Sequence, residues 1–161
     1  MAEVDFFLKI NGIPGESEKD GHADEIELDS WGWGETNSGS HSGGGGGGAG
    51  KVAMQDFSFS MPVNKASPEL FLACATGKHI PDAILVCRKS GGKQQEYLKI
   101  KFTDLLISSY QTGGDPNAVK TTEHITFNFA KIELGYAPQK KDGSLGAFAT
   151  HWYSVKETKG A

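Results

Sequence analysis

No stretch of this chain of 161 residues stays apolar for the roughly 18–20 positions that a membrane-spanning helix needs, so a helical span is excluded. Cysteine is scarce. Cys74 and Cys87 are the only two, each in an apolar stretch, with no CxxC and no Cys/His ligand spacing. Both are expected to be reduced thiols buried in the core, because free cysteine is among the most buried residue types. Basic clusters are absent as well: Lys140-Lys141 is the longest, and the net charge is −4. A nucleic-acid binder shows a basic stripe, so no nucleic acid is expected as partner. The N-terminus, Met1-Ala2-Glu3-Val4-Asp5, has neither the basic nor the apolar region of a signal peptide. Synthesis in the cytoplasm is expected, and any exit by a route without a cleaved leader.

Catalytic motifs are also missing. G-x-S-x-G, H-E-x-x-H and the calcium-loop pattern do not occur. The histidines His22, His41, His79, His124 and His151 are scattered through turns and strand ends. Carboxylate neighbours such as Asp24-Glu25 and Glu27 with Asp29 read as solvated strand faces. No catalytic residue, metal ligand or cofactor site is assigned, and the chain is not read as an enzyme.

What the sequence has in excess is glycine. It holds 22, ten of them between Gly32 and Gly50. Average usage is about 7%, so one short segment is unusual and the rest is ordinary. Gly45 to Lys51 fits G-x-x-x-x-G-K, but the phosphate-loop chemistry needs a hydroxyl next and a helix after it. Val52 follows instead, and then strand pattern. Thr36 to Lys51 therefore reads as an extended glycine-rich loop inside a single domain spanning residues 1–161.

Strand signals dominate the remainder. Val4, Phe6, Leu8 and Ile10 alternate with Asp5, Phe7, Lys9 and Asn11, and Asn11-Gly12 and Pro14-Gly15 end that run. Val52 and Met54 alternate in one phase and Phe57, Phe59 and Met61 in the other, which suggests a β-bulge near Gln55-Asp56. One helix is predicted, Ser67 to Thr76. Ser67 would be its N-cap, Pro68 its first residue, Leu70, Phe71 and Cys74 its apolar face, and Gly77 its left-handed stop. Leu85, Ile100 and Phe127 centre further strands, and residues around Tyr153 form the last. Seven to nine short strands with one helix suggest an antiparallel barrel or a sandwich. Apolar residues lie on both faces of several strands: Phe7 opposite Phe6, and Ile132 and Leu134 opposite Phe127 and Phe129. That surplus suggests outer faces covered by the helix or by other subunits. Trp31 and Trp33 share one strand face and read as core packing or a subunit contact.

Taken in order, several segments resemble the haemolysin-coregulated protein family, the tube subunit of bacterial type VI secretion systems. They are K-I-N-G-I-P-G-E-S, I-E-L-D-S-W-G-W-G, S-G-S-H-S-G-G-G-G-G-G-A-G-K-V, K-A-S-P-E-L-F-L-A-C-A-T-G-K-H, S-S-Y-Q-T-G-G and T-F-N-F-A-K-I-E-L-G-Y-A-P-Q-K-K-D-G. The resemblance implies a mainly β fold, an antiparallel barrel with one short flanking helix. It also implies a structural, non-enzymatic subunit whose homohexameric rings stack into a tube. Its partners would be itself, the spike, contractile sheath and baseplate components, and secreted effectors carried in the lumen. The alternative from the residues alone is a monomeric β-sandwich binding module that uses the glycine loop for recognition.

Ring-to-ring contact would fall on the loop, at Ser38, Gly39, Ser40, His41, Ser42, Gly43, Gly46, Gly48 and Lys51. A shorter linker in place of Gly43 to Gly48 should leave hexamers intact and weaken tubes. Trp31, Gly32 and Trp33 would be lumen or subunit contacts. Relatives often carry a small hydroxyl residue between the two tryptophans; here it is Gly32, which bears on cargo choice. Six copies at −4 carry a formal −24, so stacking should strengthen with salt.

Overall fold

The structure is a computed structural model, and it describes residues 4–39, 51–90 and 94–161. Its elements, in order, are β1 (Val4–Ile10), β2 (Ile26–Glu27), β3 (Ser30–Gly32), β4 (Glu35–Asn37), β5 (Val52–Met54) and β6 (Phe57–Pro62). Then come α1 (Ser67–Thr76), β7 (His79–Lys89), β8 (Glu96–Gln111), β9 (Thr122–Tyr136), β10 (Ala149–Ser154) and β11 (Lys159–Gly160). The fold is mainly β and antiparallel, as expected.

The main sheet runs β11-β10-β9-β8-β7-β1-β2, with β6 on the same edge of β9 as β10, opposite β8, and β3 beside β6. The long β9 is shared: Thr122 to Phe127 pair with β6, and Lys131 to Tyr136 with β10. The ladder does not close into a hydrogen-bonded ring, because β2 and β3 are not paired with each other. The chain itself spans that seam. Leu28 N donates to Phe6 O (3.0 Å) and Asp29 N to Ser60 O (2.9 Å), so one short link touches both margins of the sheet.

A single cluster fills the interior, from Leu8 and Ile26 through Phe57, Phe102 and Phe127 to Ile132. Phe57 sits at its centre, with ring centroids 4.8 Å from Phe102 and 5.0 Å from Phe127. Such close aromatic packing adds to the free energy of burial itself.

The two-sided pattern on β9 has an internal cause. Phe127, Phe129 and Ile132 all lie in that one cluster, although their spacing puts Ile132 in the opposite phase. β8 makes the same step, from Ile100 and Phe102 to Leu105 and Ile107. Between them Asp104 adopts φ 53°, a left-handed conformation that shifts the alternation by one position. The β8–β9 register is kept across it, Thr103 opposite Lys131 and Leu105 opposite Phe129, so both strands step together. Ile132 is therefore core, whereas Leu134 in the same phase stays 45% exposed.

Phe7 is likewise covered within the chain. Its ring is fully buried but outside the main cluster, under the segment 11–25, which folds back as a strap. The His22 ring stacks on it at 4.1 Å, and the Arg88 guanidinium lies 4.8 Å from its centre. Gly15 N to Asp24 O (2.8 Å), Ser17 N to Glu25 O (3.0 Å) and Asp24 N to Ser17 O (2.8 Å) close the strap on itself. Glycine is required at Gly15, since a Cβ would stand 2.5 Å from Glu25 O.

The phase flip after Met54 is not a bulge. β5 pairs with β4 in a separate two-stranded ribbon, whereas β6 belongs to the main sheet, so the two runs face different surroundings.

The helix has the predicted bounds, and Gly77 ends it at φ 65°. Its cap and faces differ. The N-cap is Ala66, without a side-chain cap, and Asn64 Oδ1 accepts the Ala66 N–H at 2.7 Å instead. Ser67 is drawn inward by a buried carboxylate: its hydroxyl donates to Glu123 Oε1 at 2.5 Å, and the Tyr110 hydroxyl donates to the other oxygen. The buried face is Ser67, Leu70 and Ala73, so Phe71 points outward and Cys74 is only half-buried. Cys87 is the thiol that lies in the core. Burial pushes it up to about 11, against a smaller opposing effect of its hydrogen bond with Trp31.

Candidate functional site

Register builds the most distinctive surface. β3, β6, β9 and the end of β8 run side by side, and their partners align in transverse rows. Gly32 lies opposite Ser58, Ser58 opposite Thr126, and Thr126 opposite Ser109. The next row is Ser30, Ser60, His124 and Gln111. Between them runs the inward row, Trp31, Phe59, Ile125 and Tyr110. Alternation thus sends the aromatic and aliphatic side chains of these rows to the core and the hydroxyl, amide and imidazole side chains to the opposite face.

That polar face is a shallow hollow of about 270 Å³. Cross-strand hydroxyl contacts brace it: Ser30 to Ser60 at 2.5 Å, Ser109 to Thr126 at 2.6 Å and Ser108 to Thr126 at 2.7 Å. The Ser58 hydroxyl donates to Gly32 O at 3.2 Å. A Cβ at Gly32 would meet Ser58 Oγ at 3.6 Å, an ordinary contact, so a side chain there has room. Among the described residues, His124 is the one titratable residue lining the hollow. The surface offers small donors and acceptors with little charge. Its chemistry suits a polar protein surface better than a charged ligand.

Trp31 and Trp33 flank Gly32 but pack on the interior. Trp31 lies 6.0 Å from Phe57 and 6.2 Å from Phe6, and Trp33 lies 6.2 Å from Phe129. Trp33 Nε1 is buried and has no hydrogen-bond partner among the described residues. Of the loop residues, Ser38, Gly39 and Lys51 are described. Thr36 and Asn37 belong to β4, so the loop leaves a paired ribbon at Ser38. The Ser38 hydroxyl points to Lys51 O at 3.5 Å, and Gly39 N donates to Asn37 Oδ1 at 2.8 Å. Ser40, His41, Ser42, Gly43, Gly46 and Gly48 lie outside the described residues.

Reading along the chain missed Ser58, Ser60, Ser109, Thr126, His124 and Gln111. Their local signal is only the polar phase of strands chosen for their apolar phase. Of the carboxylates read as solvated, Asp24, Glu27 and Asp29 are exposed, and Glu25 is the exception. Glu25 is half-buried against His22 Nδ1 at 3.0 Å, and Glu96 reaches His22 Nε2 at 2.7 Å. Burial alone would raise the Glu96 carboxyl, but the hydrogen bonds of His22 and Lys99 and their charges hold it below its usual range. Among the described residues no group of three or more His, Cys, Asp or Glu is placed to hold a metal ion.

Residues 7–136 match the family described as "Type VI secretion system effector, Hcp". The protein hcp1 of Pseudomonas aeruginosa is 53% identical over 142 residues, 88% of either chain. The crystal structure of Hcp1 from Salmonella typhimurium superposes with a TM-score of 0.83 at 37% identity, covering 99% of this chain and 100% of that one. A solved type six secretion system protein gives a TM-score of 0.91 at 28% identity, covering 98% of this chain and 99% of that one.

Proposed function

Because the chain belongs to the Hcp family of type VI secretion, we propose that it is the ring-forming subunit of that system's inner tube. The observation that carries the reading is the agreement of fold along almost the whole chain, at a TM-score of 0.91, with a solved protein of that system. Its work is structural: six copies close a ring, rings stack, and the tube leaves the cell through the apparatus that expels it. No helix among the described residues is long and apolar enough to cross a membrane.

The division of labour follows from the surfaces. Closing a ring needs a heterologous contact, two unlike patches that meet on neighbouring copies. Stacking falls on the β4–β5 ribbon and the loop it carries, with Ser38, Gly39 and Lys51 at its root. The hydroxyl rows around Gly32 face the lumen and touch effectors in transit, while Trp31 and Trp33 hold that wall rigid from inside. Missing a hydroxyl at Gly32, the wall offers one fewer side-chain contact to cargo. Spike, sheath and baseplate contacts complete the assembly.

Electron microscopy of the purified protein tests this. Rings are expected at low salt and longer tubes as salt screens the charge of the stacked rings. A field of unassembled particles at every salt concentration would refute the reading.

A further inference from the structure

Among the described residues, two features remain unpartnered within the subunit. The first is the outer side of α1. Phe71 and Leu72 are 58% and 54% exposed on a helix whose other face is packed into the core. Phe71 is not loose: its ring rests edge-on against Tyr110 at 6.4 Å. Lys65 precedes the helix and Lys78 follows it, both exposed. The result is a fixed apolar ridge with a lysine at either end and Glu69 in its first turn.

The second feature is a groove of about 620 Å³ on the outer side of the sheet, between the strap and the start of β7. Ile13 and Ile84 are among its apolar lining, and its charged residues are Asp24, Glu25 and Asp82 against Lys9 alone. It is preformed. Asn11 N donates to Asp82 O at 3.1 Å, and the strap closes on itself through the bonds at Gly15 and Ser17. A rigid concavity needs little ordering when a partner enters it.

From these we infer that the α1 ridge of one copy seats in the strap groove of the next, with Phe71 as its anchor. The inference rests on the ring reading above and names the contact that closes the ring. Charge favours it: the ridge carries Lys65 and Lys78 against Glu69, and the groove lining carries three carboxylates and one ammonium. Shape favours it, since one side is convex and the other concave, as a heterologous contact requires. A buried aromatic anchored in a pocket is also the usual carrier of interface free energy.

Cross-linking tests the contact. In a Cys74→Ala background, the doubly substituted Phe71→Cys, Ile84→Cys protein should oxidise to a covalent ladder ending at six subunits. Either single substitution should give none, because a disulfide forms only where the two Cα atoms lie within about 7 Å. Phe71→Glu gives an independent reading, since an exposed residue can be changed without unfolding the subunit. Its ring should dissociate at a protein concentration at least tenfold higher than the parent's, with the thermal midpoint of the isolated subunit unmoved. Rings that persist in Phe71→Glu, together with no ladder from the double-cysteine protein, would overturn this contact alone. A parent protein monomeric at every concentration would overturn the ring reading and the contact together.

Discussion

Replacing Phe7 with alanine separates cover supplied by the chain from cover supplied by a neighbour. Phe7 has no solvent exposure, and its backbone is held in register opposite Val86. Its ring is stacked on His22 at an interplanar angle of 2° and lies under Arg88. Truncating a buried phenylalanine costs about 3–5 kcal/mol. The lost aromatic stack, worth roughly 0.5–1.5 kcal/mol, and the desolvated cation–π contact place this site in the upper half of that range. A loss of about 4 kcal/mol is a large share of the roughly 5–15 kcal/mol that holds a domain together. At about 2–4 °C per kcal/mol for a chain of this size, the melting midpoint should fall by roughly 8–16 °C. The assay is urea and thermal unfolding at a concentration dilute enough to hold single subunits. A loss below about 1 kcal/mol there, with a defect only in assembled protein, would show that a neighbour rather than the strap covers Phe7.

Thiol labelling of the native protein should modify Cys74 first, because it is half-buried, while Cys87, buried and pushed up to about 11, stays unlabelled until unfolding. Equal labelling rates would contradict the core placement. Gly15→Ala should destabilise by about 1–3 kcal/mol, since the methyl carbon would stand 2.5 Å from Glu25 O and the strap must shift; an unchanged midpoint in urea would refute that close approach. Glu96 is held below its ordinary value near 4.5, so its contribution is present above that pH and is lost as pH falls through the lowered value. Acid titration should therefore loosen segment 11–25, read by amide exchange. Glu96→Gln should flatten that part of the profile, and an identical profile would argue that His22 and Lys99 do not act on this carboxylate.

Parts of the molecule written in local chemistry were legible in the sequence. Pro68 and Gly77 mark both ends of α1, and the alternation from Val4 to Ile10 gives β1 its bounds. What could not be read depends on residues far apart in the chain. Gly32, Ser58, Thr126 and Ser109 form one row only because four strands share a register. The left-handed residue Asp104 shifts the alternation of β8 and β9 by one position, yet aspartate carries no unambiguous mark of it. Ser67 has the composition of a cap, but a buried carboxylate 56 residues later takes its hydroxyl. The glycine run announced an unusual segment, and its flanks proved to be a paired ribbon, which local composition does not reveal.

The mass of the native protein in solution tests the central claim most directly. Light scattering at low salt should report roughly 103 kDa, six copies of a 17.2 kDa chain. A mass of 17.2 kDa at every concentration and salt would contradict it.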